Sequence, residues 1–194
     1  MGTLKTKEIL VDAARKLFAD QGVENTTMND IAQASKKGRR TLYTYFKNKD
    51  EIFFSVIETE LAQVANKLSE IAKSQESPEK KLITYIYTRM EAIREVVLRN
   101  GNLNADFFLD IRMVERVRRK LNKKERSILT NIFQDGIEKN IFAVKDPAFA
   151  AMMFHLALKG FEVSYILGSI KDTLNERKEE FVNCLFNGLL KKEE

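Results

Sequence analysis

The sequence predicts an all-α fold of about nine helices, with a helix-turn-helix domain over residues 1–50 followed by a larger helical domain over residues 51–194. Three observations carry this. Only two prolines and eight glycines punctuate the chain, and the stretches between them are rich in Leu, Ile, Ala, Lys and Glu, which favour helix. Apolar residues recur at three- and four-residue spacing along most of the length. Charge is uneven: residues 1–50 hold ten basic and six acidic side chains, whereas residues 51–194 hold 23 and 22, so most of the formal +5 lies in the first quarter.

The first helix is expected from Thr6 to Asp20, where Ile9, Leu10, Ala13, Ala14, Leu17 and Phe18 form one stripe and Gly22 supplies the stop. Thr27 to Asp30 reads as a capping box that starts a helix of two turns through Ile31, Ala32 and Ala34. After Ser35-Lys36-Lys37-Gly38, a third short helix is expected from Arg39 to Phe46, with Leu42 and Phe46 on its buried face. Asn48-Lys49-Asp50-Glu51 is a second capping signal, opening a long helix to about residue 73. Pro78 starts the next region, with its apolar pattern running from Lys80 to Arg99 before Asn100-Gly101-Asn102 interrupts it. Further helices are expected over Leu103 to Leu121, Lys124 to Lys139, Pro147 to Leu167 and Leu174 to Leu190. The helix after Pro147 is apolar on most sides, with His155, Lys159 and Glu162 as one narrow polar stripe, and therefore needs cover on two faces.

Composition excludes several function classes. A single cysteine, Cys184, rules out an internal disulfide framework and a zinc site of several thiolates, and fits a reducing compartment. One histidine, His155, supports no His-rich metal site and no catalytic dyad. There is no glycine-rich phosphate loop and no nucleophile elbow, so neither an enzyme nor a cofactor is expected. The most apolar stretch, Ala148 to Gly168, carries three ionisable residues at its centre and does not read as a membrane span; no basic-then-apolar leader opens the chain. A cytoplasmic protein without membrane partners is the expectation.

The informative segment is residues 26–52, TTMNDIAQASKKGRRTLYTYFKNKDEI. From Ile31 to Lys49 it holds Lys36, Lys37, Arg39, Arg40, Lys47 and Lys49 and no acid, a pattern suited to phosphate. In a helix-turn-helix the second helix enters the major groove and its N-terminal side chains meet base edges. Arg39 and Arg40 hold that position, and an arginine fork binds O6 and N7 of guanine bidentately. Thr27, Thr41, Tyr43 and Tyr45 offer hydroxyls and apolar contacts to groove walls and phosphates, and Lys36, Lys37 and Lys49 add charge around them. Tyr43 also reads as a half-buried packing residue.

In Phe18, Gly22, Thr27, Ile31, Ala32, Thr41, Leu42, Tyr43, Tyr45, Phe46 and Lys49 the segment resembles the DNA-binding domain of the TetR (tetracycline repressor) family, over roughly residues 6–55. The resemblance implies a homodimer on a near-palindromic operator, commonly released when a small molecule occupies the C-terminal domain. One departure concerns the turn. The family usually has Ala-Gly-Val-Ser where this chain has Ser35-Lys36-Lys37-Gly38, losing the glycine suited to a left-handed residue, and this puts the turn geometry in question.

In the second domain the ligand candidates are Tyr85, Arg89, Phe107, Phe108, Phe133 and Phe154, although aromatic residues at helical spacing are first of all core. Dimer candidates on the last two helices are Phe161, Tyr165, Phe181, Leu185 and Leu189, where two broad apolar faces suit a four-helix bundle with their two-fold copies. The expected partners are double-stranded DNA carrying an inverted repeat, a second copy of the chain, and a small-molecule inducer of unknown chemistry. On the residues alone an architectural or nonspecific nucleic-acid binder remains open beside the sequence-specific repressor.

Overall fold

The computed structural model describes residues 2–99 and 111–187. The described residues form nine helices and no strand: α1 Gly2–Gln21, α2 Met28–Ala34, α3 Arg39–Tyr45, α4 Lys49–Lys73, α5 Pro78–Arg99, α6 Ile111–Glu138, α7 Pro147–Ile166, α8 Lys171–Glu176 and α9 Lys178–Asn187. They pack as two compact units. One comprises Met1–Lys67 with Glu95–Glu125, the other Leu68–Arg94 with Arg126–Glu194. The helix-turn-helix thus lies within a larger first unit, to which α4, α5 and α6 contribute.

Most expected boundaries hold to within a few residues, because their stop and start signals are local. Gly22 ends α1 at φ 84°, and Asn48 caps α4 by accepting from the Glu51 amide at 2.9 Å. Two expectations are corrected. The helices placed at Leu103 to Leu121 and Lys124 to Lys139 are a single helix where described, since neither glycine nor proline separates Leu121 from Lys124 and Leu121, Glu125, Ile128 and Leu129 continue one buried stripe. The helix placed at Leu174 to Leu190 is instead two, α8 and α9, separated at Arg177, whose backbone leaves the helical region at ψ 33°. Residues 188–190 lie outside the described residues.

In the first unit, α1, α2, α3 and the start of α4 close over Leu10, Ala14, Phe18, Ile31, Leu42, Phe46 and Ile52. Phe53 meets Phe18 edge to face at 5.9 Å. In the second unit, Tyr85, Ile86, Leu129, Ile132, Ala151, Leu158 and Tyr165 are buried together with Arg89, His155 and Glu162. A fully buried Arg89 donates to the Glu162 carboxylate at 2.9 Å, and Tyr165 donates to Glu91 at 3.0 Å. The polar stripe of α7 therefore supplies buried groups, and much of that helix's apolar surface faces outward.

Candidate nucleic-acid interface

Local hydrogen bonds set the geometry of α2 and α3. Thr27 is the N-cap of α2: its hydroxyl accepts from the Asp30 amide at 3.2 Å, while Asp30 accepts from the Thr27 amide at 2.8 Å and its hydroxyl at 2.7 Å. These donors hold the Asp30 carboxyl below its usual pKa, the hydroxyl bond being the main cause. At the other end of α2, the Lys37 amide donates to Ala32 and the Lys36 amide to Gln33, both at 3.0 Å, the paired bonds of a Schellman motif. Lys36 sits at its left-handed position with φ 53°. The turn thus has the conformation a glycine would favour, with lysine bearing the steric penalty of about 1 kcal/mol.

This turn and the extended Gly38 at the N-cap of α3 bring Arg39 and Arg40 onto an exposed first turn. Thr41 is half-buried beside them, and Thr44 bonds back to the Arg40 carbonyl at 2.9 Å. The tyrosines reverse the packing expectation: Tyr43 is exposed, while Tyr45 rests against the core, because it shares a helical face with the buried Leu42 and Phe46. Lys36 is exposed and Lys37 half-buried. Lys49 serves the fold as well as the surface, donating to the Val23 and Glu24 carbonyls at 2.7 and 3.3 Å and so tying α4 to the turn after α1. A third ammonium hydrogen remains. The arrangement presents two arginine forks, two lysines and a tyrosine hydroxyl from one rigid module, the donor set that reads and holds a DNA duplex.

Whole-segment charge averages concealed a second basic run. Arg119, Lys120, Lys123 and Lys124 are exposed on α6, within the first unit.

The ligand and dimer candidates separate in the second unit. Phe133 and Phe154 line a cavity of about 920 Å³, joined by Phe142, Met153, Leu185 and Phe186. Tyr85 and Arg89 are fully buried outside that lining, and Phe107 and Phe108 lie outside the described residues. Phe161 is exposed on α7 and meets Phe181 edge to face at 6.2 Å. Tyr165 turns inward, and Leu189 lies outside the described residues. Sequence reading missed Phe149, Met152, Leu156, Val163 and Leu167, an exposed row at helical spacing on α7 with Leu167 78% exposed. A row seven residues long at spacings of three and four was the available signal; which side faced out was not.

The chain matches the family described as bacterial regulatory proteins, tetR family, over residues 10–56. It is 29% identical over 164 residues to the uncharacterized HTH-type transcriptional regulator YhgD of Bacillus subtilis, covering 80% of this chain and 83% of that protein. Among solved structures, a transcriptional regulator from Cytophaga hutchinsonii superposes with a TM-score of 0.71 at 28% identity, covering 80% of this chain and 79% of that one. The transcriptional regulator FadR from Bacillus subtilis, solved in complex with stearoyl-CoA, shares the fold at 19% identity with a TM-score of 0.62, over 94% of this chain and 99% of its own. Among the described residues no helix is long and apolar enough to cross a membrane.

Proposed function

Because the chain belongs to the tetR family of bacterial regulatory proteins and is a DNA-binding transcription regulator, we propose that it acts as a homodimeric repressor, released from an inverted-repeat operator by a small molecule. Arg39 and Arg40 carry the reading: they stand exposed on the first turn of a helix whose approach angle is held by the capping box and the Schellman turn. At least one of them reads guanine, while Lys36, Lys37, Thr27, Thr41, Tyr43, Tyr45 and Lys49 hold phosphates and groove walls. The named relatives are regulators rather than enzymes.

The homodimer is supported by the outward row on α7. Phe149, Met152, Leu156, Val163 and Leu167 leave apolar surface in water on one chain, and Gly160 in the same row has open space above it, which permits close approach of a second helix. Phe161 and Phe181 flank that row. A two-fold pair would set its reading helices about 34 Å apart, in successive major grooves. The inducer reading is supported by the aromatic cavity of the second unit, whose size is that of a drug-sized ligand site.

The test is binding of the purified protein to its own upstream intergenic DNA against scrambled competitor at near-physiological salt, with an Arg39→Ala/Arg40→Ala variant alongside. Nanomolar binding with at least ~10³ preference, lost in the variant, is the expected result. Equal affinity for scrambled DNA would favour a nonspecific binder, a reading the exposed basic run on α6 would then explain; no binding to DNA would overturn the proposal.

A further inference from the structure

The cavity of the second unit has a chemical bias. Of its lining residues only Glu79 is ionisable, and nearly all the rest are aliphatic or aromatic. The Glu79 Oε2 atom is buried and has no hydrogen-bond partner among the described residues. Four phenylalanines surround the same space in linked pairs. Phe142 stacks on Phe186 at 6.0 Å and lies 5.7 Å from Phe133, which in turn meets Phe154 edge to face at 5.7 Å. The Phe142 ring is held close by Gly136, where a Cβ would come within 2.1 Å of it. Glycine at this helical position makes room for the ring.

A carboxylate oxygen left unpaired in apolar surroundings is unfavourable until a cation or donor reaches it. Aromatic faces attract cations through their quadrupoles and repel anions. Both features select the same ligand. We propose that this cavity binds lipophilic organic cations, such as bulky quaternary ammonium or phosphonium compounds, with the apolar groups against the phenylalanines and the positive centre facing Glu79. An acyl chain ending in a carboxylate or phosphate would set its charge against Glu79 and is disfavoured. This deepens the inducer reading and rests on it, since it names the class of molecule the second unit would sense.

The experiment is calorimetric titration of the full chain with tetraphenylphosphonium and tetraphenylborate, ions of closely similar shape and opposite charge. The wild type is expected to bind the phosphonium at one per chain, at least tenfold tighter than the borate. Glu79→Gln should weaken phosphonium binding about tenfold and bring the two probes towards equality, while Glu79→Asp keeps the preference and serves as the folding control. Ala157→Trp, which places an indole in the cavity, should abolish binding of the phosphonium with helicity unchanged. Borate binding as tight as phosphonium, a preference unaltered in Glu79→Gln, phosphonium binding intact in Ala157→Trp, or no binding of either probe to 1 mM would each overturn the proposal. Operator binding is measured separately with and without phosphonium. Charge-selective, Glu79-dependent binding that leaves DNA affinity unchanged upholds the ligand class and sinks induction. Loss of DNA binding by the unliganded protein sinks the repressor reading alone.

Discussion

Around the helix-turn-helix, Lys36, Arg39, Arg40 and Lys47 face solvent while Ile31, Ala32, Leu42 and Phe46 are buried. In the second unit the order is inverted. Arg89, His155 and Glu162 are buried, and Phe149, Met152, Leu156, Val163 and Leu167 face outward. Each surface is suited to a different partner: a polyanion needs exposed cations, whereas a second copy of the chain needs exposed apolar area. The buried pair Arg89–Glu162 carries its own requirement, because each charge is tolerable in the interior only while the other is present.

That inversion can be broken most severely from inside. Arg89→Met leaves the Glu162 carboxylate buried without its partner and should cost about 3–5 kcal/mol, read as a lowered urea midpoint at fixed protein concentration. The double variant Arg89→Met/Glu162→Leu should recover most of the loss; no recovery would mean that the pair itself stabilises the fold. Next, Leu156→Lys/Val163→Lys places charge on the outward row. Both residues are about half exposed, so the chain should stay folded while sedimentation shows monomer and operator affinity falls by about 10² or more. A dimer that persists would move the interface elsewhere.

On the exposed-cation side, Arg39→Ala or Arg40→Ala should lose about 1–3 kcal/mol of discrimination at one operator position if that residue reads a base, against a uniform loss across sequences if it only holds phosphate. Lys36→Gly separates fold from charge at one residue. Relief of the left-handed strain at φ 53° should raise stability by about 0.5–1 kcal/mol, while the salt slope of DNA binding falls by about one if Lys36 touches a phosphate. The smallest effect is one of pH. Burial, with the Glu91 bond and charge behind it, pushes the Tyr165 pKa up to about 12 from its usual 10, so the neutral phenol is favoured in the folded state. Its contribution is complete below pH 10 and is lost as pH rises towards 12; Tyr165→Phe should flatten that alkaline fall in thermal stability.

The helix-turn-helix was legible because its determinants lie within a few residues of one another. Thr27 and Asp30 cap α2, Gly22 stops α1, Asn48 starts α4, and each signal acts through a bond of three or four residues' span. Even the irregular turn followed local rules: the Schellman bonds of Lys36 and Lys37 held their geometry although the glycine was absent. The stop at Arg177 was less visible, as neither glycine nor proline marks it. The continuity of α6 was hidden by a polar run at Asn122 to Lys124, which reads as a break unless Leu121 and Glu125 are known to be buried.

Periodicity alone established that α7 had an apolar side and a narrow polar stripe, but both sides repeat with the same period, and nothing in the repeat says which is turned inward. The partner of Glu162 is 73 residues away at Arg89, so the choice rests on a contact that only the folded chain makes. The same holds for the cavity, where Glu79, Phe142, Phe154 and Phe186 come from α5, α7, α9 and the segment before α7. Short-range hydrogen bonding and spacing determined the helices and the DNA-facing module; long-range packing decided which charges were buried, which apolar face stayed exposed and what surrounds the cavity, because those depend on side chains far apart in sequence meeting in a low-dielectric interior.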